Sequence, residues 1–113
     1  MRRSPDFALT IRCGSRAGRS TLVVHCRRVP ERSGTQIGFV VAKAVGGAVV
    51  RNKVRRRLRG VVVEQMSSLP IGTDVVVRAL APAAGATYDQ LSADFRLALA
   101  SACRKLETRA SRQ

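Results

Sequence analysis

Apolar positions recur along this chain in two rhythms, and the switches between them mark its elements. From Ser20 to Arg28 the period is two: Leu22, Val24 and Cys26 point one way and Thr21, Val23 and His25 the other, which predicts a strand. A second strand is expected from Gln36 to Lys43, with Ile37, Phe39 and Val41 on its core side and the smaller Gly38, Val40 and Ala42 opposite. Asp74 to Ala79 is a continuous β-branched run, the pattern of a strand buried on both faces. Helical spacing governs three other stretches. Ser4 can cap a helix, Pro5 suits its first position and Asp6 complements its dipole. That helix places Phe7 and Ile11 on one face and stops near Cys13, at Gly14. Thr87 and Gln90 form a capping box for the last helix, whose apolar stripe is Tyr88, Leu91, Phe95, Leu99, Ala102 and Leu106. In the middle of the chain, Val50, Val54, Leu58 and Val61 fall within one arc of ~80° at ~100° per residue. They make a narrow stripe on a helix expected to end near Ser67 and Ser68.

The connections are polar or small. Gly14 to Arg19 reads as a basic loop, Pro30 to Gly34 as a link of hairpin length, and Gly46-Gly47 as a break before the middle helix. Leu69 to Gly72 is an exit turn, Ala81 to Ala86 a loop, and Thr108 to Gln113 a frayed polar tail. The order is helix, strands, helix, strand, helix, a single α+β domain spanning residues 1–113.

Charge changes the picture of the middle helix. Six of the nine residues from Arg51 to Arg59 are basic: Arg51, Lys53, Arg55, Arg56, Arg57 and Arg59. Arg51, Asn52, Arg55, Arg56 and Arg59 fan across the side opposite the stripe, so the helix carries a fixed cationic surface. A rigid row of planar, always-charged guanidinium groups suits phosphate oxygens, and Asn52 can both donate and accept. An anionic membrane surface is the competing partner, but the stripe is narrow, aliphatic and free of Trp or Phe. Nucleic acid fits better. The formal charge of +14 and the pI near 11.7 agree, since so positive a chain is relieved by a polyanion. No stretch approaches the ~18 apolar residues of a spanning helix, and no signal-like run follows Met1-Arg2-Arg3. A cytoplasmic location is expected. The three cysteines, Cys13, Cys26 and Cys103, form no C-x-x-C pair and are expected to be reduced thiols.

The segment Gly46-Gly47-Ala48-Val49-Val50-Arg51-Asn52-Lys53-Val54-Arg55-Arg56 closely resembles the signature of the bacterial ribonuclease P protein subunit. Ile37 to Lys43 ahead of it, and Ser4-Pro5-Asp6-Phe7 with Gly14 seven residues after the Phe, match the family in the family's order. The resemblance runs from about Arg3 to Leu106. It implies an αβββαβα sandwich of the ribosomal protein S5 domain 2-like type, with a left-handed βαβ crossover through the basic helix. It also implies that Arg51, Asn52, Lys53, Arg55, Arg56 and Arg59 dock on the catalytic RNA subunit. Phe7, Ile11, His25, Ala42 and Lys43 would line a cleft for the 5′ leader of precursor tRNA. Ile11 stands where the family usually has an aromatic ring, His25 where it often has Tyr, and Gly47 where it usually has Asn.

Read without the family, Phe7 and Ile11 serve equally as core contacts, and His25 as an ordinary surface or half-buried residue. The carboxylates Asp6, Glu31, Glu64, Asp74, Asp89, Asp94 and Glu107 are scattered, and the only histidine is His25. No catalytic or metal-ligating constellation is expected from this chain, so a binding module fits better than a self-contained enzyme. By the resemblance, Mg²⁺ would be bound mainly by the RNA subunit and substrate, and no protein partner would be required. A structural RNA-binding protein or RNA chaperone of ribosomal-protein type is the alternative, with the same charge but no need for an open cleft.

Overall fold

The structure, a computed structural model, describes residues 6–31 and 33–111. Its elements run α1 (Phe7–Cys13), β1 (Ser15–Gly18), β2 (Leu22–Arg28), β3 (Gln36–Val40), α2 (Ala48–Glu64), β4 (Thr73–Ala79) and α3 (Tyr88–Ser111). Three 3-10 turns join them, at Lys43–Val45, Met66–Ser68 and Ala81–Gly85. The strands form one four-stranded sheet in the order β1-β2-β4-β3. β1 and β4 each pair antiparallel with β2, whereas β3 and β4 are parallel and therefore joined by a crossover, through α2. This is the α+β, αβββαβα arrangement.

The alternation of β2 divides the sheet into two faces. Leu22, Val24 and Cys26 join Val75, Val77 and Ala79 of β4 in the core, beneath Leu91, Phe95, Leu99 and Ala102 of α3. Ile37 and Phe39 extend this face onto β3. α2 packs against α3 and sends Val54, Leu58, Val61 and Val62 into the same core. The opposite face is covered in part by α1, which lies on β2, β4 and β1. Val23 and His25 are therefore buried as completely as their core-side neighbours.

Several boundaries differ from the sequence expectation. Ser4 and Pro5 lie outside the described residues; the cap of α1 is Asp6, whose carboxylate accepts from the Leu9 N–H at 3.1 Å. Gly14 ends α1 in extended backbone, and glycine is needed there for closeness: a Cβ would stand 2.4 Å from the Cys26 carbonyl oxygen. The segment expected as a basic loop, Gly14 to Arg19, contains β1. Ser15 and Ala17 turn inward, and the Ser15 hydroxyl lies 2.9 Å from the Ala102 carbonyl of α3 and 3.3 Å from that of Cys26. Ser20 and Thr21 precede β2 and fasten on Asp94 of α3, the Thr21 hydroxyl at 2.6 Å. β3 ends at Val40, because Ala42 starts a 3-10 turn at Lys43. Gly46 takes φ 154°, where a Cβ would meet the Val50 side chain. Val50 itself is 36% exposed, so the buried stripe of α2 begins at Val54. The α-helix stops at Glu64 and a 3-10 turn continues it to Ser68. The expected loop after β4 is a 3-10 turn, Ala81–Gly85, held by the Arg57 guanidinium donating to the Ala86 carbonyl at 2.9 Å. The Thr87–Gln90 capping box forms as expected. The tail expected from Thr108 stays helical to Ser111, and Arg109 donates to the Cys13 carbonyl at 3.1 Å.

The thiols of Cys26 and Cys103, remote in sequence, meet where α3 crosses β2. Their hydrogen bond and burial push the buried Cys26 thiol up, while the same bond pulls half-buried Cys103 down to about 7. All three cysteines are free.

Candidate nucleic-acid interface

α2 is a straight consequence of its sequence: a break at Gly46, then 17 residues whose apolar stripe is anchored by Val54, Leu58 and Val61, each at most 2% exposed. Anchoring one side fixes the other. Asn52, Lys53, Arg56 and Arg59 are exposed, while Arg51 and Arg55 are half-buried at the margins. Arg55 reaches Asn52 Oδ1 at 3.4 Å, and the Nε of Arg51 is buried without a hydrogen-bond partner. The ion pairs among the described residues are Arg19–Asp94 and Arg27–Asp74, and neither involves α2. The helix that carries these cations is thus fixed by packing, and among the described residues no carboxylate pairs with them, the arrangement a polyanion completes.

The second surface is the sheet face that turns away from the core. Strand register places three rows across it: Arg16, His25, Val76 and Gly38; then Val23, Arg78 and Val40; then Arg27, Asp74 and Gln36. α1 lies along one side of these rows. It contributes Phe7, half-buried, Ile11, 37% exposed, and Thr10, fully buried. The start of α1 is tied to the sheet by the Asp6 N–H, which donates to Asp74 Oδ2 at 3.3 Å; the same oxygen receives Arg27 at 2.9 Å. Ala42 and Lys43 are exposed where the chain leaves β3, on the far side of β4 from α1.

The residues expected from sequence therefore fall on two surfaces. Arg51, Asn52, Lys53, Arg55, Arg56 and Arg59 share α2. Phe7 and Ile11 share α1, His25 lies in the sheet beside it, and Ala42 and Lys43 stand at the opposite margin. His25 is 1% exposed, and neither ring nitrogen has a hydrogen-bond partner. Burial, then the charges of Arg78 and Arg16, hold its imidazole below the ordinary histidine range, so the ring is neutral at pH 7. Its place is the floor of this face rather than its rim.

Sequence reasoning passed over Arg16, Arg27, Asp74 and Arg78. The signal was available for two of them: within D-V-V-V-R-A, period two puts Asp74 and Arg78 on the same face as Val76. Among the described residues no three His, Cys, Asp or Glu side chains gather as metal ligands. Among the same residues no helix is long and apolar enough to cross a membrane.

Comparison with known proteins places the chain in a family. The family model described as Ribonuclease P matches residues 1–103. A protein named ribonuclease P protein component from Kocuria rhizophila is 50% identical, covering 93% of this chain and 92% of its own. One of the same name from Streptomyces bikiniensis is 52% identical over 88% of this chain and 87% of its own. Among solved structures, the RNase P protein of Staphylococcus aureus superposes with a TM-score of 0.77 at 26% identity, covering 90% of this chain and 93% of that one. The RNase P protein of Thermotoga maritima, at 23% identity and a TM-score of 0.74, shares the fold over 83% of this chain and 88% of its own.

Proposed function

This chain belongs to the ribonuclease P protein family, and from that premise we propose how it works as the protein component of the holoenzyme. Its α2 surface docks on the catalytic RNA subunit, and the α1-bounded sheet face receives the single-stranded 5′ leader of precursor tRNA. Removal of that leader by phosphodiester hydrolysis takes place on the RNA subunit, in the cytoplasm. Mg²⁺, held mainly by RNA and substrate phosphates, supplies the metal chemistry when bound. The side chains of this protein bind and position: the α2 cations offset repulsion between two polyanions, and Phe7 offers a ring on which a leader base can stack. A purely structural RNA binder or an annealing chaperone would share the charge, but family membership favours the ribonuclease component.

The observation that carries this reading is the α2 surface: a helix fixed by Val54, Leu58 and Val61 whose cations have no carboxylate partner among the described residues. Arg51→Ala, Arg55→Ala and Arg59→Ala test it one at a time, because none of these side chains lies in the core. Binding of each variant to a bacterial ribonuclease P RNA is measured across a salt series, and precursor tRNA cleavage at low Mg²⁺. Each lost phosphate contact should flatten the log–log salt slope by about 0.7–0.9, and added Mg²⁺ should restore part of the activity. A folded Arg51→Ala protein with unchanged affinity and slope would show that α2 is not the docking surface.

A further inference from the structure

Arg78 is a cation in the middle of a sheet. It stands on the strand flanked by β2 and β3, level with Val23 on one side and Val40 on the other, and it faces away from the core. The adjoining row brings it His25, Val76 and Gly38. None of these neighbours is a carboxylate. The Nε of Arg78 is buried and has no hydrogen-bond partner, and neither ion pair among the described residues includes it. The one carboxylate in the three rows, Asp74, lies at the other end of β4. There it is engaged by Arg27 at 2.9 Å and by the Asp6 N–H at 3.3 Å.

A guanidinium held over an apolar floor is a donor array without its acceptor. The side chains around it limit what that acceptor can be. Arg16, in the His25 row on the edge strand, adds a second cation, so the patch selects an anion. Val23, Val76 and Gly38 are buried and Val40 is half-buried, so the side chains around the guanidinium are short and apolar and none offers it an acceptor. His25, buried between the two arginines, is uncharged at pH 7 and so adds no third positive charge. The phosphates spaced along an unpaired strand supply the anion that these two guanidinium groups select.

We propose that Arg78 is a phosphate-binding residue of the leader path, its guanidinium forking onto one backbone phosphate of the single-stranded leader as it crosses β2, β4 and β3. Arg16 supplies the flanking charge. The inference rests on the reading that this face carries the leader, and it adds a cation within the sheet to a surface otherwise assigned to Phe7, Ile11, His25, Ala42 and Lys43.

The test uses holoenzyme reconstituted from full-length protein and a bacterial ribonuclease P RNA. Affinities for a precursor tRNA and for the mature tRNA of the same sequence are measured over a salt series. Arg78→Gln keeps the stem and removes the charge; Arg78→Lys keeps the charge and removes the fork. For Arg78→Gln the precursor should bind on the order of tenfold more weakly, with a salt slope smaller by about 0.7. Binding of mature tRNA and assembly with the RNA subunit should be unchanged. Arg78→Lys should keep the slope and lose about threefold, since an ammonium cannot bind two oxygens in parallel. Circular dichroism identifies the folded variants, and unchanged precursor affinity in whichever of the two folds overturns the proposal. An equal loss for precursor and mature tRNA, or a loss in assembly, also overturns it, by placing the phosphate in the RNA subunit or the tRNA body. Phe7→Leu separates this failure from the wider one. If Phe7→Leu loses discrimination between precursor and mature tRNA while both Arg78 variants keep it, the face binds leader without Arg78. If the unaltered holoenzyme shows no such discrimination, both ideas fall.

Discussion

Arg27 and Asp74 form an ion pair on the sheet face that α1 covers, and breaking it from either side should give unequal results. Asp74 is 1% exposed and Arg27 26%, with Nη2 and Oδ2 2.9 Å apart. Removing one partner of a buried pair destabilises by roughly 3–5 kcal/mol, mostly through the charge left behind. Arg27→Met takes the guanidinium from a buried carboxylate that still accepts the Asp6 N–H, and should lie within that range. Asp74→Ala leaves a guanidinium that can turn toward water, so about 2–3 kcal/mol is the better figure after solvent screening. At roughly 4 °C per kcal/mol for a chain of this size, these correspond to melting points lower by about 12–20 °C and 8–12 °C. The double variant removes both charges and should be less destabilised than Arg27→Met alone, a coupling of about 2 kcal/mol or more. Thermal melts followed by circular dichroism, at one pH and salt concentration, supply all four corners of the cycle. Additive losses, or Asp74→Ala costing more than Arg27→Met, would refute the claim that loss of the Arg27 charge from the buried carboxylate dominates. Because Asp74 also accepts the Asp6 N–H, Asp74→Ala should in addition weaken precursor tRNA binding through the start of α1 while sparing RNA-subunit docking.

Other outcomes follow from single sites. Val54→Asp should abolish the circular dichroism of the folded domain, since Val54 is 2% exposed in the core and an unpaired carboxylate has no partner there; a folded Val54→Asp protein would contradict the packing of α2. His25 has a folded pKa below its unfolded value near ~6.5, so protonation opposes folding: its contribution is intact above that value and is lost as pH falls through the folded pKa. His25→Leu should remove this slope from melts between about pH 7 and pH 5, and an unchanged slope would count against a buried neutral ring. At Asp94 burial raises the carboxyl pKa, but the bonds from Thr21 and Ser20 and the charge of Arg19 outweigh it, and the net direction is down. Its stabilisation is therefore present above about pH 4 and lost as acid titrates it, and Asp94→Asn should flatten the acid limb of stability. Iodoacetamide should modify Cys103 well before Cys26, read by peptide mass spectrometry, because Cys103 is half-buried with a thiol near 7 and Cys26 is buried with its thiol pushed up.

The long elements were legible because each has enough residues for periodicity to average out accidents. α2, β4 and α3 show their stripes plainly, and the Thr87–Gln90 box lies where two residue types three apart predict it. β1 was not legible, since Ser-Arg-Ala-Gly contains one weak alternation and its inward Ser15 is satisfied only by carbonyls of β2 and α3. The end of β3 was misplaced for a related reason: Val41 is as apolar as a strand residue, and the turn at Lys43 answers to Gly46 and α2 rather than to local alternation. The cationic face of α2 could be drawn from charge against stripe alone. The sheet face could not, because burial of His25 depends on α1 lying over β2, and the isolation of Arg78 depends on which strands flank β4. Both are facts of strand order.

Among the described residues the cations of α2 have no carboxylate of their own to leave, and this bears on how quickly the helix can be used. A protein whose binding arginines are paired internally must break those pairs before or during encounter, which adds a barrier to association. Here the helix is formed, anchored and electrostatically open before any partner arrives. Encounter with a polyanion is then a matter of diffusion under a long-range field, and ionic strength should act chiefly on the association rate. On the proposed docking, the lifetime of the complex would be left to the close contacts made afterwards, by Asn52 and the forks of Arg51, Arg55 and Arg59.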